Sequence, residues 1–185
     1  MALTSSSMTP LGEPMPAFRL SDAEGLVLDS ADLNGAPVLV AFICNHCPYV
    51  KHIATAFASL TREMMDQGLA VVAINSNDWH SHPDDSPEKM LLEVRQRDYS
   101  FPYLVDESQD VARAFNAACT PDFFLYDRQH RLAWRGQFDD SRPGNDKPVT
   151  GEDLRQACQA VLAGREPEGE QTPSVGCNIK WQADN

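Results

Sequence analysis

The sequence predicts an α/β layered sandwich built around a mixed central sheet. Three observations predict it. Two runs, 38–43 (VLVAFI) and 69–74 (LAVVAI), are apolar on both faces, as strands in the middle of a sheet are. Segments with a helical apolar period alternate with them. The stretches 123–126 and 132–138 flank the polar turn Asp127-Arg128-Gln129, so they read as a hairpin that adds antiparallel pairing.

Each element has its own signal. Pro37 leads into the first strand. Over 48–67, Ile53, Phe57, Leu60 and Met64 recur at spacings of four, three and four, one stripe of a helix that Gly68 stops. After the second strand, Ser86 at a cap position and Pro87 at the first helical position open a helix that turns Met90, Leu91 and Val94 inward. Residues 103–105 form a short strand and 108–116 a short helix. After the hairpin, 151–163 places Leu154, Ala157, Cys158, Val161 and Leu162 on one face. The predicted order is β-α-β-α-β-α-β-β-α, a single domain over 15–163. The Ser/Thr/Pro/Gly-rich stretch 1–14 reads as an N-terminal arm and 164–185 as a C-terminal arm packed on the domain.

The chain has 185 residues, enough for a core that needs no disulfide staples. Its net charge of −12 argues against a nucleic-acid binder or a partner of anionic membranes. The longest apolar runs have seven and six residues, far short of the ~20 of a membrane span. The first residues lack a basic region and an apolar core, so a cytoplasmic location is expected. Five cysteines are too few and too odd for a secreted disulfide scaffold, and a close pair in a cytosolic chain points to catalysis or metal binding.

That pair lies in Ile43-Cys44-Asn45-His46-Cys47-Pro48-Tyr49-Val50, where a buried strand turns into a long helix. A sulfur there meets unpaired N–H groups and the positive end of the helix dipole, which favour thiolate over thiol. Pro48 at the first helical position costs no hydrogen bond. His46, between the two cysteines, stabilises a thiolate when protonated. The alternatives are two inert buried cysteines, or zinc or copper held by the thiolates with His46 or His52. No second close pair of ligands completes such a site, so neither a metal nor an organic cofactor is expected. Cys158 reads as core, His80 and His82 as solvated loop residues, and Asp139, Asp140, Arg142, Asn145 and Asp146 as a polar exit from the hairpin rather than a calcium loop.

The wording FICNHCPYVKHI, with CTPDFFLYD and SVGCNIKW downstream, resembles the peroxiredoxin-like branch of the alkyl hydroperoxide reductase/thiol-specific antioxidant (AhpC/TSA) family, within the thioredoxin superfamily. The resemblance runs over about 12–181. It implies a thioredoxin-like three-layer sandwich with helices on both faces, and a thiol–disulfide oxidoreductase working through Cys44 and Cys47. It also implies that Thr120 and a cis-Pro121 face the cysteines and present backbone groups to a substrate. Its substrates would be protein or small-molecule disulfides, its regenerating partner a cellular dithiol, and its state monomer or homodimer. Cys119, next to Thr120, would lie near the pair, either in the reaction or as a buried loop residue.

The resemblance also implies an alternative, a thiol peroxidase with an antioxidant role. In that family a Pro and a Thr precede the peroxide-reacting cysteine. Counted back from Cys44, Pro37 is kept and Ala41 replaces the Thr; counted from Cys47, both are lost. On helix-terminus chemistry Cys47 is the attacker and Cys44 the resolver, with Val50 in place of the usual second cysteine. Cys177 reads either as a remote resolving cysteine or as the anchor of a packed tail with Ile179 and Trp181 buried, the second being favoured. Arg135 is a candidate to hold an anion near the thiolate.

Overall fold

The apolar run beginning at Val38 lies between two other strands, which is why it carries no polar side chain. The structure is a computed structural model and describes residues 3–183. Its strands are β1 (Leu3–Ser5), β2 (Arg19–Asp22), β3 (Val27–Asp29), β4 (Val38–Phe42), β5 (Ala70–Asn75), β6 (Tyr103–Val105), β7 (Cys119–Thr120), β8 (Asp122–Tyr126), β9 (Leu132–Gly136) and β10 (Val175–Asn178). Its α-helices are α1 (Pro48–Asp66), α2 (Pro87–Arg97), α3 (Asp110–Phe115) and α4 (Glu152–Leu162).

Seven strands form the main sheet in the order β3-β2-β6-β5-β4-β8-β9. β4 runs parallel to β5 and β5 to β6, while β8 is antiparallel to both β4 and β9. Alternation along the strands divides the core in two. Leu39, Ala41, Val71, Ala73, Phe123 and Leu125 meet residues of α1, α2 and α4 on one face. Val38, Val40, Phe42, Val72, Ile74, Phe124 and Tyr126 meet Ala112 and Phe115 of α3 on the other. The three layers, the mixed sheet and the helices on both faces are as expected.

The predicted stripe of α1 is its buried face: Ile53, Phe57, Leu60 and Met64 all point inward. Phe57 lies under four rings, those of Tyr99, Phe101, Phe123 and Phe138. A buried aromatic of this kind contributes about 1.5–3 kcal/mol relative to exposure. The Ser86 Oγ accepts the Lys89 N–H at the start of α2, as its cap position predicts.

Five short strands lie outside the predicted order. β2 and β3 make an antiparallel hairpin that extends one edge of the sheet. β1, β10 and β7 form a second sheet in the order β1-β10-β7, with Leu3↔Cys177 and Cys177↔Thr120 in register. Both arms thus contribute a strand, although residues 1, 2, 184 and 185 at their ends lie outside the described residues. These strands are two to four residues long, too short for an alternating pattern to stand out.

Candidate redox site

β4 stops at Phe42, and the turn after it is held by hydrogen bonds to loops across the sheet. The Ile43 N–H donates to the Ile74 carbonyl at 3.0 Å, and the Asn45 N–H to Asp85 Oδ1 at 2.7 Å. This turn brings Cys47 to the N-cap of α1 in an extended conformation (φ −66°, ψ 124°), with Pro48 as the first helical residue. The sulfur therefore sits at the positive end of a 19-residue helix. The Val50 N–H faces it without closing a full cap hydrogen bond.

Thr120 closes the site from the opposite side. Its peptide bond to Pro121 is cis. Its Oγ1 lies 3.3 Å from Cys44 Sγ, and its carbonyl oxygen lies 3.2 Å from Cys47 Sγ. β10 lies against Thr120 and brings Cys177 Sγ to 2.9 Å from Cys47 Sγ. Cys44 and Cys47 from the turn into α1, Thr120 from β7 and Cys177 from β10 thus make one buried cluster.

The neighbours of each sulfur set its ionisation. The hydrogen bond from Cys44 does most to lower the Cys47 thiol to about 5; burial opposes this, and the hydrogen bond from Cys177 and the N–H groups of Val50 and Cys177 add to it. Cys44, as the donor, is pushed well above the ordinary thiol range by that same bond, by burial and by the charge of Asp85. Burial, and then the proton shared with Cys47, push Cys177 up to about 12, with Lys180 opposing. Only one of these three sulfurs is a thiolate near neutrality, and it is Cys47.

A polar network supports the Cys44 side. His46 Nδ1–H donates to Asp85 Oδ2 at 2.6 Å, and Asn77 Nδ2 donates to the same oxygen at 2.8 Å. Burial raises the Asp85 carboxyl, but His46, Asn77 and the Asn45 N–H outweigh it and leave Asp85 below its usual range. Tyr103 completes the network by donating to Asn45 Oδ1 at 3.0 Å. Among the described residues, Cys44, His46 and Asp85 form a group with ligand atoms within 4.8 Å of one another. Both oxygens of Asp85 already accept hydrogen bonds there.

The structure brings together Cys44, Cys47, His46, Pro48, Thr120, Pro121 and Cys177. Other expectations need correction. Trp181 is not buried with the tail: it is 41% exposed and lies over the guanidinium of Arg113 at 4.9 Å, whereas Ile179 is buried as expected. Arg135 does not face the sulfurs; it donates to Gln171 Oε1 at 2.6 Å and to the Met8 carbonyl. His52 turns to Ser141 Oγ at 3.1 Å, away from the cysteines. Cys119 is fully buried with its thiol toward the Pro121 carbonyl, and burial and the Asp122 charge raise it above the ordinary range. His80 is exposed, but His82 is half-buried with its ring stacked on His46. Asp139 lies at the exit of the hairpin as expected, where it is buried and accepts the N–H groups of Ser141, Thr150 and Gly151. The residues that sequence reading missed are Asp85, Asn77 and Tyr103. The one available signal was the polar run 75–78 directly after a fully apolar strand.

A cysteine of lowered pKa at a helix N-terminus, faced by a buried strand ending at a cis-proline on a mixed sheet with helices on both sides, marks a thioredoxin-like fold. The model of the AhpC/TSA family matches residues 11–135, and the chain belongs to that family. A curated relative, the thiol-disulfide oxidoreductase ResA of Halalkalibacterium halodurans, is 26% identical over 119 residues, 64% of either chain. This chain therefore spans just under two thirds of that relative's length. Among solved structures, a hypothetical protein from Sinorhizobium meliloti 1021 is 52% identical, with a TM-score of 0.96 over 98% of this chain and 100% of that one. A putative thiol:disulfide interchange protein DsbE from Chlorobium tepidum, 20% identical over 83% of this chain and 98% of that one with a TM-score of 0.66, shares the fold.

Proposed function

We propose that the protein is a thiol–disulfide oxidoreductase in which Cys47 attacks and Cys44 resolves. The observation that carries this reading is the Cys47 sulfur, a thiolate with a pKa lowered to about 5 that stands beside a second, protonated thiol. Its thiolate attacks one sulfur of a substrate disulfide; the substrate S–S bond breaks, a mixed disulfide forms and the other half leaves as thiolate. Cys44 then loses its proton, attacks the Cys47 sulfur and releases the remaining half, leaving a Cys44–Cys47 bridge. A dithiol reductant returns the pair to thiols. A cysteine of low pKa is a good leaving group, so a disulfide through Cys47 is readily reduced. Thr120 contributes a hydroxyl beside Cys44 and a carbonyl beside Cys47, and its backbone edge lies next to the reacting sulfurs. ResA of Halalkalibacterium halodurans, named for the same chemistry, supports this reading.

The test is turnover of a small-molecule disulfide with a dithiol as electron donor. The Cys47→Ser variant loses at least about a thousandfold, as expected on removal of a nucleophile. The double variant Cys44→Ser/Cys177→Ser, which leaves no thiol in contact with Cys47, accumulates a mixed disulfide on Cys47. Full activity in Cys47→Ser contradicts the assignment. In a parallel arm with hydrogen peroxide, oxidation of Cys47 that outpaces its reaction with the disulfide points instead to a thiol peroxidase.

A further inference from the structure

We propose that Cys177 is a third redox cysteine, and that in the oxidised protein it takes Cys47 from Cys44 to form a Cys47–Cys177 disulfide that fastens strand β10 over the site. This rests on Cys47 as the nucleophile.

Cys47 is fully buried, and the C-terminal strand is what lies against it. The strand is seated by many bonds. It pairs antiparallel with β7 in the register Cys177↔Thr120 and Asn178↔Cys119. Ser174 Oγ donates to the Pro121 carbonyl at 2.6 Å, just before the strand. Just after it, the Lys180 N–H donates to Asn77 Oδ1 at 2.8 Å, and Gln109 Nε2 donates to the Lys180 carbonyl at 2.8 Å. Gly176 permits the approach, because a Cβ at that position would overlap the Thr120 carbonyl oxygen. Contacts at Ser174 before the sulfur and at Asn178 and Lys180 after it therefore hold it against Cys47, across 130 residues of sequence. A tail that served only as packing would not need its one sulfur on the nucleophile.

The exchange balances without an outside oxidant. The substrate disulfide has already taken two electrons, leaving a Cys44–Cys47 bridge. The Cys177 thiol gives its proton to solvent and its sulfur attacks Cys47. The Cys44–Cys47 bond breaks, the Cys47–Cys177 bond forms, and Cys44 leaves as thiolate and takes up a proton. Once Cys47 is in a disulfide it bears no charge, so the part of the Cys177 shift that comes from Cys47 disappears, while the Lys180 charge still favours a thiolate. Cys44 is returned to the protonated form that burial and Asp85 favour.

The experiment oxidises the fully reduced chain with oxidised glutathione, quenches with acid, alkylates the remaining thiols and maps disulfides by peptide mass spectrometry. The expected result is a Cys47–Cys177 bridge in about tenfold excess over Cys44–Cys47. Cys177→Ser, a near-isosteric change, shifts the bridge to Cys44–Cys47. Gly176→Ala, which lifts β10 but keeps all three sulfurs, lowers the Cys47–Cys177 share. A Cys44–Cys47 bridge with Cys177 fully alkylated overturns the proposal and leaves the oxidoreductase reading standing. A Cys47 that stays reduced overturns both.

Discussion

Cys47 and Cys158 are equally hidden from solvent and each belongs to a helix terminus or body, yet their thiols are driven in opposite directions. Cys158 lies within α4, where burial pushes it up to about 12 against a small opposing effect of Arg155. Cys47 is at 0% exposure as well, but the proton of Cys44, the proton of Cys177 and backbone N–H groups bring it down to about 5. Burial alone makes a cysteine inert. Donors gathered around a buried cysteine lower it instead, and they do so at the positive end of a helix.

The comparison is sharpened by disturbing each side in turn. The largest effect falls on the polar side of the site. Asp85 is fully buried and its hydrogen-bond partner His46 is nearly so, with side-chain exposures of 0% and 14%. Asp85→Asn leaves the His46 ring and the Asn45 N–H facing a neutral amide, and losing hydrogen bonds to a buried charged group costs about 1.5–3 kcal/mol. Denaturant unfolding of the reduced protein measures it, and a midpoint unchanged from wild type contradicts the role assigned to the pair. The smallest effect falls on the inert side. Cys158→Ala removes one buried sulfur and costs about 1 kcal/mol. The rate at which Cys47 reacts with a small disulfide is unchanged in that variant. A slower Cys47 would show that the two regions are coupled and break the comparison.

Legibility in the sequence follows the same division. Cys44, Cys47 and Pro48 could be read because each sits at a junction with a local signal, the end of an apolar strand or the first turn of a helix, whereas Thr120 and Pro121 came only from the resemblance of the stretch CTPDFFLYD to a known family. The order of elements along the chain from β4 to β9, β7 apart, was legible because β4 and β5 are apolar on both faces and the helices between the strands keep a helical period. What was not legible depends on contacts made across the fold. Asp85 reaches His46 from 39 residues away, and Cys177 reaches Cys47 from 130. Cys177 lies in a four-residue strand whose partners are a two-residue strand and a three-residue strand, so nothing local marks the pairing. Trp181, the largest apolar side chain of the tail, suggested packing, but it is held outside by Arg113. Asp139 reads as a polar exit from the hairpin, but its partners, the N–H groups of residues 150 and 151, lie eleven and twelve positions on and leave no local mark.

The central claim is that Cys47 is the thiolate of the reduced protein, and its titration tests that claim most directly. The ultraviolet thiolate absorbance of reduced wild type, less that of Cys47→Ser, is recorded as a function of pH. A lowered pKa means that the thiolate is present at neutral pH and is lost only as the pH falls through about 5. The predicted result is a single difference transition near that value, flat from there to neutrality. A difference that first appears near the ordinary cysteine value of about 8.5 would contradict the account.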